Sequence, residues 1–134
     1  MDASADKNQN LQFQLGLLHF AHVLINVDGS IDQREEEVLN RIKNEEKISD
    51  KTFSYFKETV QGKMEREIFE EGVELLNRCT EEERVTAFTH LYQLASADKN
   101  FHEKEVRLLM YSLQSTNISF EDVKLRAKDR MLKS

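Results

Sequence analysis

The stretch LINVDGSIDQRE, residues 24–35, closes one apolar helix, turns, and opens another. Leu24 and Ile25 end a run in which Leu11, Leu15, Leu18, His22 and Ile25 recur at helical spacing, widened by Leu17, Phe20, Ala21 and Leu24. A helix apolar over most of its circumference is one that neighbours bury on several sides. Asp28-Gly29-Ser30 is a turn signal, so this central helix ends near Val27. Asp32 stands three residues before Glu35, as in a capping box, and starts the next helix, whose inner face is Val38, Leu39 and Ile42.

The same pattern returns 70 residues later as LASADKNFHEKE, residues 94–105. Leu24, Asp28, Glu35, Leu39, Ile48 and Ser49 recur as Leu94, Asp98, Glu105, Leu109, Ile118 and Ser119 with no gap. Six identities over about thirty positions exceed the roughly two that residue frequencies would produce by chance. Each copy reads as helix, turn, helix, with a further helix starting at the serine. Two such units packed about a pseudo-twofold axis would bring the two turns together.

Between and beyond the copies the helical pattern continues. Ser49-Asp50 opens a helix carrying Phe53, Tyr55 and Phe56 that stops near Gly62. A fourth, from about Met64 to Cys79, turns Ile68, Phe69, Val73, Leu75 and Leu76 inward. Thr80 with Glu83 is a capping box opening a fifth, with Val85, Phe88, Leu91, Tyr92 and Ala95 as its core residues. A sixth, from about His102, carries Val106, Leu109, Met110 and Leu113. Ser119 with Asp122 starts a last one, holding Val123, Leu125 and Met131. No segment alternates as a strand does. The expectation is an all-α compact bundle of six to seven helices with two pseudo-twofold-related halves. Residues 1–9 are expected to be a flexible N-terminal segment and residues 10–131 a single helical domain.

Composition agrees with this and excludes several functions. Of 134 residues, none is proline and only four are glycine, which leaves long helices unobstructed. Hydrophobic residues at 39% are too many for a disordered chain. The net charge of −6 argues against nucleic acid and anionic membranes as partners, since phosphate recognition needs clustered Lys and Arg. Cys79 is the only cysteine, so an internal disulfide, a CxxC pair and a thiolate zinc site are excluded. The apolar run from Leu15 to Val27 is interrupted by Gly16, His19, His22 and Asn26, too short and polar to span a bilayer. The N-terminus lacks the basic and apolar regions of a signal peptide. A cytoplasmic protein, monomeric or weakly homodimeric, is expected.

The chemistry rests on the repeated turn. Asp28 and Asp98 both stand at a helix C-terminus, where the helix dipole disfavours a carboxylate. Either an Asx-type bond to the turn backbone or a cation compensates. The first copy resembles the second half of a calcium loop, with Asp28, Gly29, Ile31 and Glu35 in the places of DGxIxxxE. Leu24 and Leu94 stand where the first acidic ligand belongs, so this is not an EF-hand. One half-loop offers too few oxygens for calcium, whereas two facing each other would pool Asp28, Glu35, Asp98 and Glu105, with Asp32 and Asn100 nearby. Oxygen ligands favour a hard cation, Ca or Mg. The other reading is structural: Asp-Gly is a common turn, and Asp32 and Glu35 are ordinary capping residues.

Elsewhere the residues read as framework. His19 and His22 at i, i+3 lack the matching Glu-x-x-His of a bundle metal site, and His22 is expected in the core. His90 and His102 read as surface residues, and Cys79 as inert. The acid-rich run from Glu65 to Glu74 reads as a solvated face. No phosphate loop, nucleophile elbow or HExxH is present. No enzymatic activity is expected.

The stretches LLHFAHVLINVDGSIDQREEEVL, residues 17–39, and LYQLASADKNFHEKEVRLL, residues 91–109, resemble the two signature segments of TerB-like domains. That family includes the tellurite-resistance protein TerB and the non-J domain of a membrane-anchored DnaJ-like co-chaperone. The resemblance runs from about Leu11 to Ala127. It implies an all-α bundle of about seven helices, a divalent-cation site at the acidic turns, and a role in stress response through contacts with other proteins. Carried over by position, the site is Asp28, Glu35, Asp98 and Glu105, with Asp32 beside them. Lys99 stands where the family has glycine and His102 where it has an acid.

Overall fold

A computed structural model describes the backbone of residues 3–26, 33–97 and 103–133, and the side chains of residues 11–26, 36–93 and 106–129. Among these residues there are seven helices and no strand: α1 (Ala3–Asn26), α2 (Gln33–Glu45), α3 (Asp50–Val60), α4 (Glu65–Asn77), α5 (Glu81–Ala97), α6 (Glu103–Ser115) and α7 (Phe120–Lys133). The protein is an all-α bundle. α1 is its axis, packed against α2, α3, α4, α5 and α6. Phe13, Leu15, Leu17, Leu18, Phe20, Ala21, Val23, Leu24 and Ile25 are buried along it. This follows from a helix with apolar residues on nearly every side.

The closest partner of α1 is α4, and two glycines make the approach possible. A Cβ on Gly16 would lie 2.7 Å from Leu76 Cδ2, and one on Gly72 would lie 3.2 Å from His19 Cβ. Gly16 therefore lets α4 in; it does not interrupt α1. α5 is the second buried helix, covered by α7 and lying against α1.

Helix ends follow the local chemistry. Ser49 caps α3, its hydroxyl oxygen accepting from Thr52 N–H at 3.1 Å. Thr80 and Glu83 form the reciprocal box that opens α5: the Thr80 hydroxyl accepts from Glu83 N–H at 3.1 Å, and the Glu83 carboxylate accepts from Thr80 N–H at 2.9 Å. Gly62, at φ 78°, carries the chain from α3 to α4.

Part of the 70-residue repeat has a counterpart in the backbone. α2 and α6 begin and end 70 residues apart, and α3 and α7 begin 70 residues apart. α2 closes with Ile48 N–H donating to Lys43 O and Lys47 N–H to Asn44 O. α6 closes with Ile118 N–H donating to Leu113 O and Asn117 N–H to Gln114 O. Both are Schellman motifs, and both put their C′ residue in the left-handed region, Lys47 at φ 53° and Asn117 at φ 58°. Burial repeats as well: Leu39 with Leu109, Ile42 with Ser112, Ile48 with Ile118 and Phe53 with Val123 are all buried.

Several apolar residues of the outer helices stay outside. Tyr55, Val106, Met110 and Leu125 are exposed. Phe53 and Phe56 share one face of α3, and Tyr55 lies off it. In α7, Val123 and Ala127 point inward, four residues apart, and Leu125 between them points away. Among the described residues, no helix is long and apolar enough to cross a membrane.

Candidate functional site

The two acidic segments stand in the chain between α1 and α2 and between α5 and α6. Asp28, Asp32 and Asp98 lie outside the described residues. Glu35 and Glu105 lie in the first turns of α2 and α6, where the backbone alone is described. Asn26, at the end of α1, is the last described residue before the first acidic segment. Its amide donates to His22 O at 2.8 Å and lies 3.4 Å from His22 Nδ1, one turn back along α1.

Two buried histidines organise the charged chemistry that is described. His19, on α1, is 1% exposed. Its Nδ1 lies 2.6 Å from the Leu15 carbonyl four residues back, and its Nε2 lies 3.3 Å from Glu71 Oε2 on α4. The ring also meets Phe56 edge-on, with centroids 5.4 Å apart. Lys63 Nζ holds the other Glu71 oxygen at 2.5 Å. Burial lowers the pKa of His19, outweighing the Leu15 and Glu71 bonds that raise it. For Glu71 burial pushes upward, but the bonds from Lys63 and His19 prevail and its carboxyl titrates below the ordinary range. Glu71 is thus the member of the acid-rich α4 run that is engaged by the interior.

His90 is the second, and it corrects the expectation of a surface residue: it is 3% exposed. α5 is enclosed by α7 and α1, so positions off its main apolar stripe are buried too. His90 Nε2 lies 2.5 Å from Glu46 Oε2 and its Nδ1 lies 3.4 Å from Glu45 Oε2, both at the C-terminal end of α2. Gln14 of α1 donates to the Glu46 carbonyl at 3.3 Å. Sequence periodicity gives no sign of this cluster, because its members come from helices 44 residues apart.

Cys79 is buried near the end of α4, its Sγ 3.4 Å from Leu75 O. Burial, helped by Glu83, pushes the thiol up to about 11, so it is protonated at neutral pH. Among the described residues, no group of three or more His, Cys, Asp or Glu side chains is placed to hold a metal ion. Comparison of the chain with models of protein families, with curated proteins and with solved structures gives no match.

Proposed function

We propose that the chain is a TerB-like module that binds a divalent cation, Ca or Mg, weakly at its paired acidic turns and acts in a stress response through contacts with other proteins. The two halves are related by a pseudo-twofold axis, and Asp28, Asp32, Glu35, Asp98 and Glu105 supply the oxygens. Such a module works by binding and performs no catalysis. The observation that carries the reading is the duplicated frame. α2 and α6, the helices that follow the two acidic segments, start and stop in the same register, and their far ends close with the same hydrogen bonds. Carboxylates brought together repel each other in the absence of an ion, so a cation stabilises the fold by linkage.

The test is a thermal melt with calcium, magnesium or chelator, on the wild type and on the Asp28→Asn, Asp98→Asn double variant. A hundredfold excess over the dissociation constant raises stability by about 2.7 kcal/mol. That is several degrees for a domain of this size. The double variant is expected to lose the ion response. A wild type indifferent to millimolar ions would reject the cation.

A second reading is a protein-contact module whose acidic turns only cap helices. Asp-Gly is a common turn, and acidic residues at the start of a helix are ordinary capping and dipole partners. In that case the double Asn variant melts like the wild type, because Asn also forms Asx turns.

A further inference from the structure

α2 and α6 hold the same place in the repeat and differ on their outer surfaces. Residues 36, 37, 40 and 41 of α2 are exposed, and so are residues 106, 107, 110 and 111 of α6. α2 fills three of these places with Glu36, Asn40 and Arg41. Glu36 pairs with Lys57 at 3.1 Å and Arg41 with Glu45 at 3.8 Å. α6 fills the same three with Val106, Met110 and Tyr111, and Tyr111 is 55% exposed. The inner positions, Leu39 and Leu109, are buried in either case, so the core does not call for the change. One exposed apolar residue is ordinary, whereas a patch of them marks a contact surface.

The patch borders a groove. α4 and α6 both lie against α1, and between them is a cavity of about 530 Å³ walled by Val23, Phe69, Leu108 and Tyr111. The Tyr111 and Phe69 rings meet across it with centroids 5.5 Å apart. Around the apolar walls stand Glu65, Arg66, Glu70 and Arg107, two acids and two bases. Arg66 Nε lies 3.2 Å from Glu70 Oε1. That balance points to the occupant. A chain of net charge −6 repels its own copies over most approaches. At this rim the charges cancel, so two chains meet there without like charge facing like. A twofold contact needs a surface complementary to itself, and an apolar centre with both signs at its edge is one. The groove between α5 and α7 is not: Glu81, Glu82, Asp122 and Asp129 stand there with Arg126 alone.

We infer that the α4–α6 groove seats a second copy of this chain about a twofold axis, with Tyr111 of each protomer entering the groove of the other. Aromatic residues, Met and Arg are the types enriched at such contacts. Because the same patch serves both protomers, association closes at a dimer. The contact is apolar, so salt screens the repulsion between two −6 chains and leaves the attraction in place. The dimer therefore tightens as salt rises.

The experiment is sedimentation of the full chain from about 10 μM to about 1 mM, the range of weak association. Chelator is present throughout, so the outcome does not depend on a cation at the acidic turns. Wild type is compared with the Val106→Glu, Met110→Asn, Tyr111→Arg triple variant, which carries the residues of α2 and keeps the net charge at −6. Wild type is expected to pass from monomer to dimer, more readily at higher salt. The variant is expected to associate at least about tenfold more weakly. In nitrogen-15 spectra of wild type, shifts on dilution are expected to concentrate at Phe69, Leu108 and Tyr111. A wild type monomeric throughout would overturn the assignment and leave the groove to a different protein. A dimer that the variant keeps, or dilution shifts confined to other helices, would overturn it too. Should the triple variant not fold, the dilution shifts of wild type decide by themselves.

Discussion

Lys47 and Asn117, seventy residues apart, leave their helices in the same left-handed turn, at φ 53° and φ 58°. The geometry is shared and the strain is not. A Lys pays the Cβ penalty of that region, about 1–2 kcal/mol, whereas Asn enters it more readily.

Lys47→Gly is therefore expected to stabilise the protein by up to about 1 kcal/mol, after the entropic cost of glycine in the unfolded chain. Asn117→Gly is expected to change stability by less. Urea midpoints of the two variants check this. Equal effects would mean that the Lys47 side chain contributes something the turn geometry hides.

The α1–α4 contact gives the opposite expectation for added bulk. Gly16→Ala places a methyl group 2.7 Å from Leu76 Cδ2 and 2.9 Å from its Cγ, and Leu76 is itself buried. Overpacking costs about 1–3 kcal/mol, against about 1 kcal/mol gained in helix propensity. A net loss of about 1 kcal/mol is expected in calorimetry. A higher melting temperature would show that Leu76 moves aside freely.

Thr80→Ala removes one half of the box that opens α5. The lost cap is expected to cost about 1 kcal/mol. Glu83→Gln should cost less, because an amide oxygen still accepts from Thr80 N–H. Denaturation of both variants, with wild type as reference, separates the two contributions.

His19 sets a pH dependence of its own. Its folded pKa lies below the ordinary 6.5, chiefly through burial, so the unfolded chain takes up the proton first. The stability it contributes is complete above pH 6.5 and is lost as pH falls through the folded value. Glu71, lowered below 4.5, loses its contribution in the same direction further into acid. In urea denaturation, stability should fall from pH 7 downward. Adding His19→Gln should remove the upper part of that fall. An unchanged profile would mean that another group carries it.

Much of this fold is written in short-range patterns. The absence of proline and the caps at Ser49 and Thr80 are local signals, and helix ends obey local rules. The repeat was visible as well, and the backbone carries it into the Schellman turns. The interior pairings were not legible. Nothing near His90 in the chain points to Glu46, and Gly16 looks like an interruption until α4 is laid against it. Tyr55 and Leu125 show the same limit from outside: being apolar does not say which side of a helix a neighbour will cover. For the acidic turns the sequence reading stands by itself, because Asp28, Asp32 and Asp98 fall outside the described residues, as do the side chains of Glu35 and Glu105.

The buried thiol of Cys79 has a practical consequence. Alkylating reagents attack thiolates, and a thiol held near 11 inside the bundle presents almost none. Reaction waits for the corner between α4 and α5 to come apart, where the sulfur regains an ordinary acidity. Since the chain has no other cysteine, its rate of labelling counts openings of that corner alone. The molecule thus carries its own clock for local unfolding, read by mass spectrometry without a single substitution.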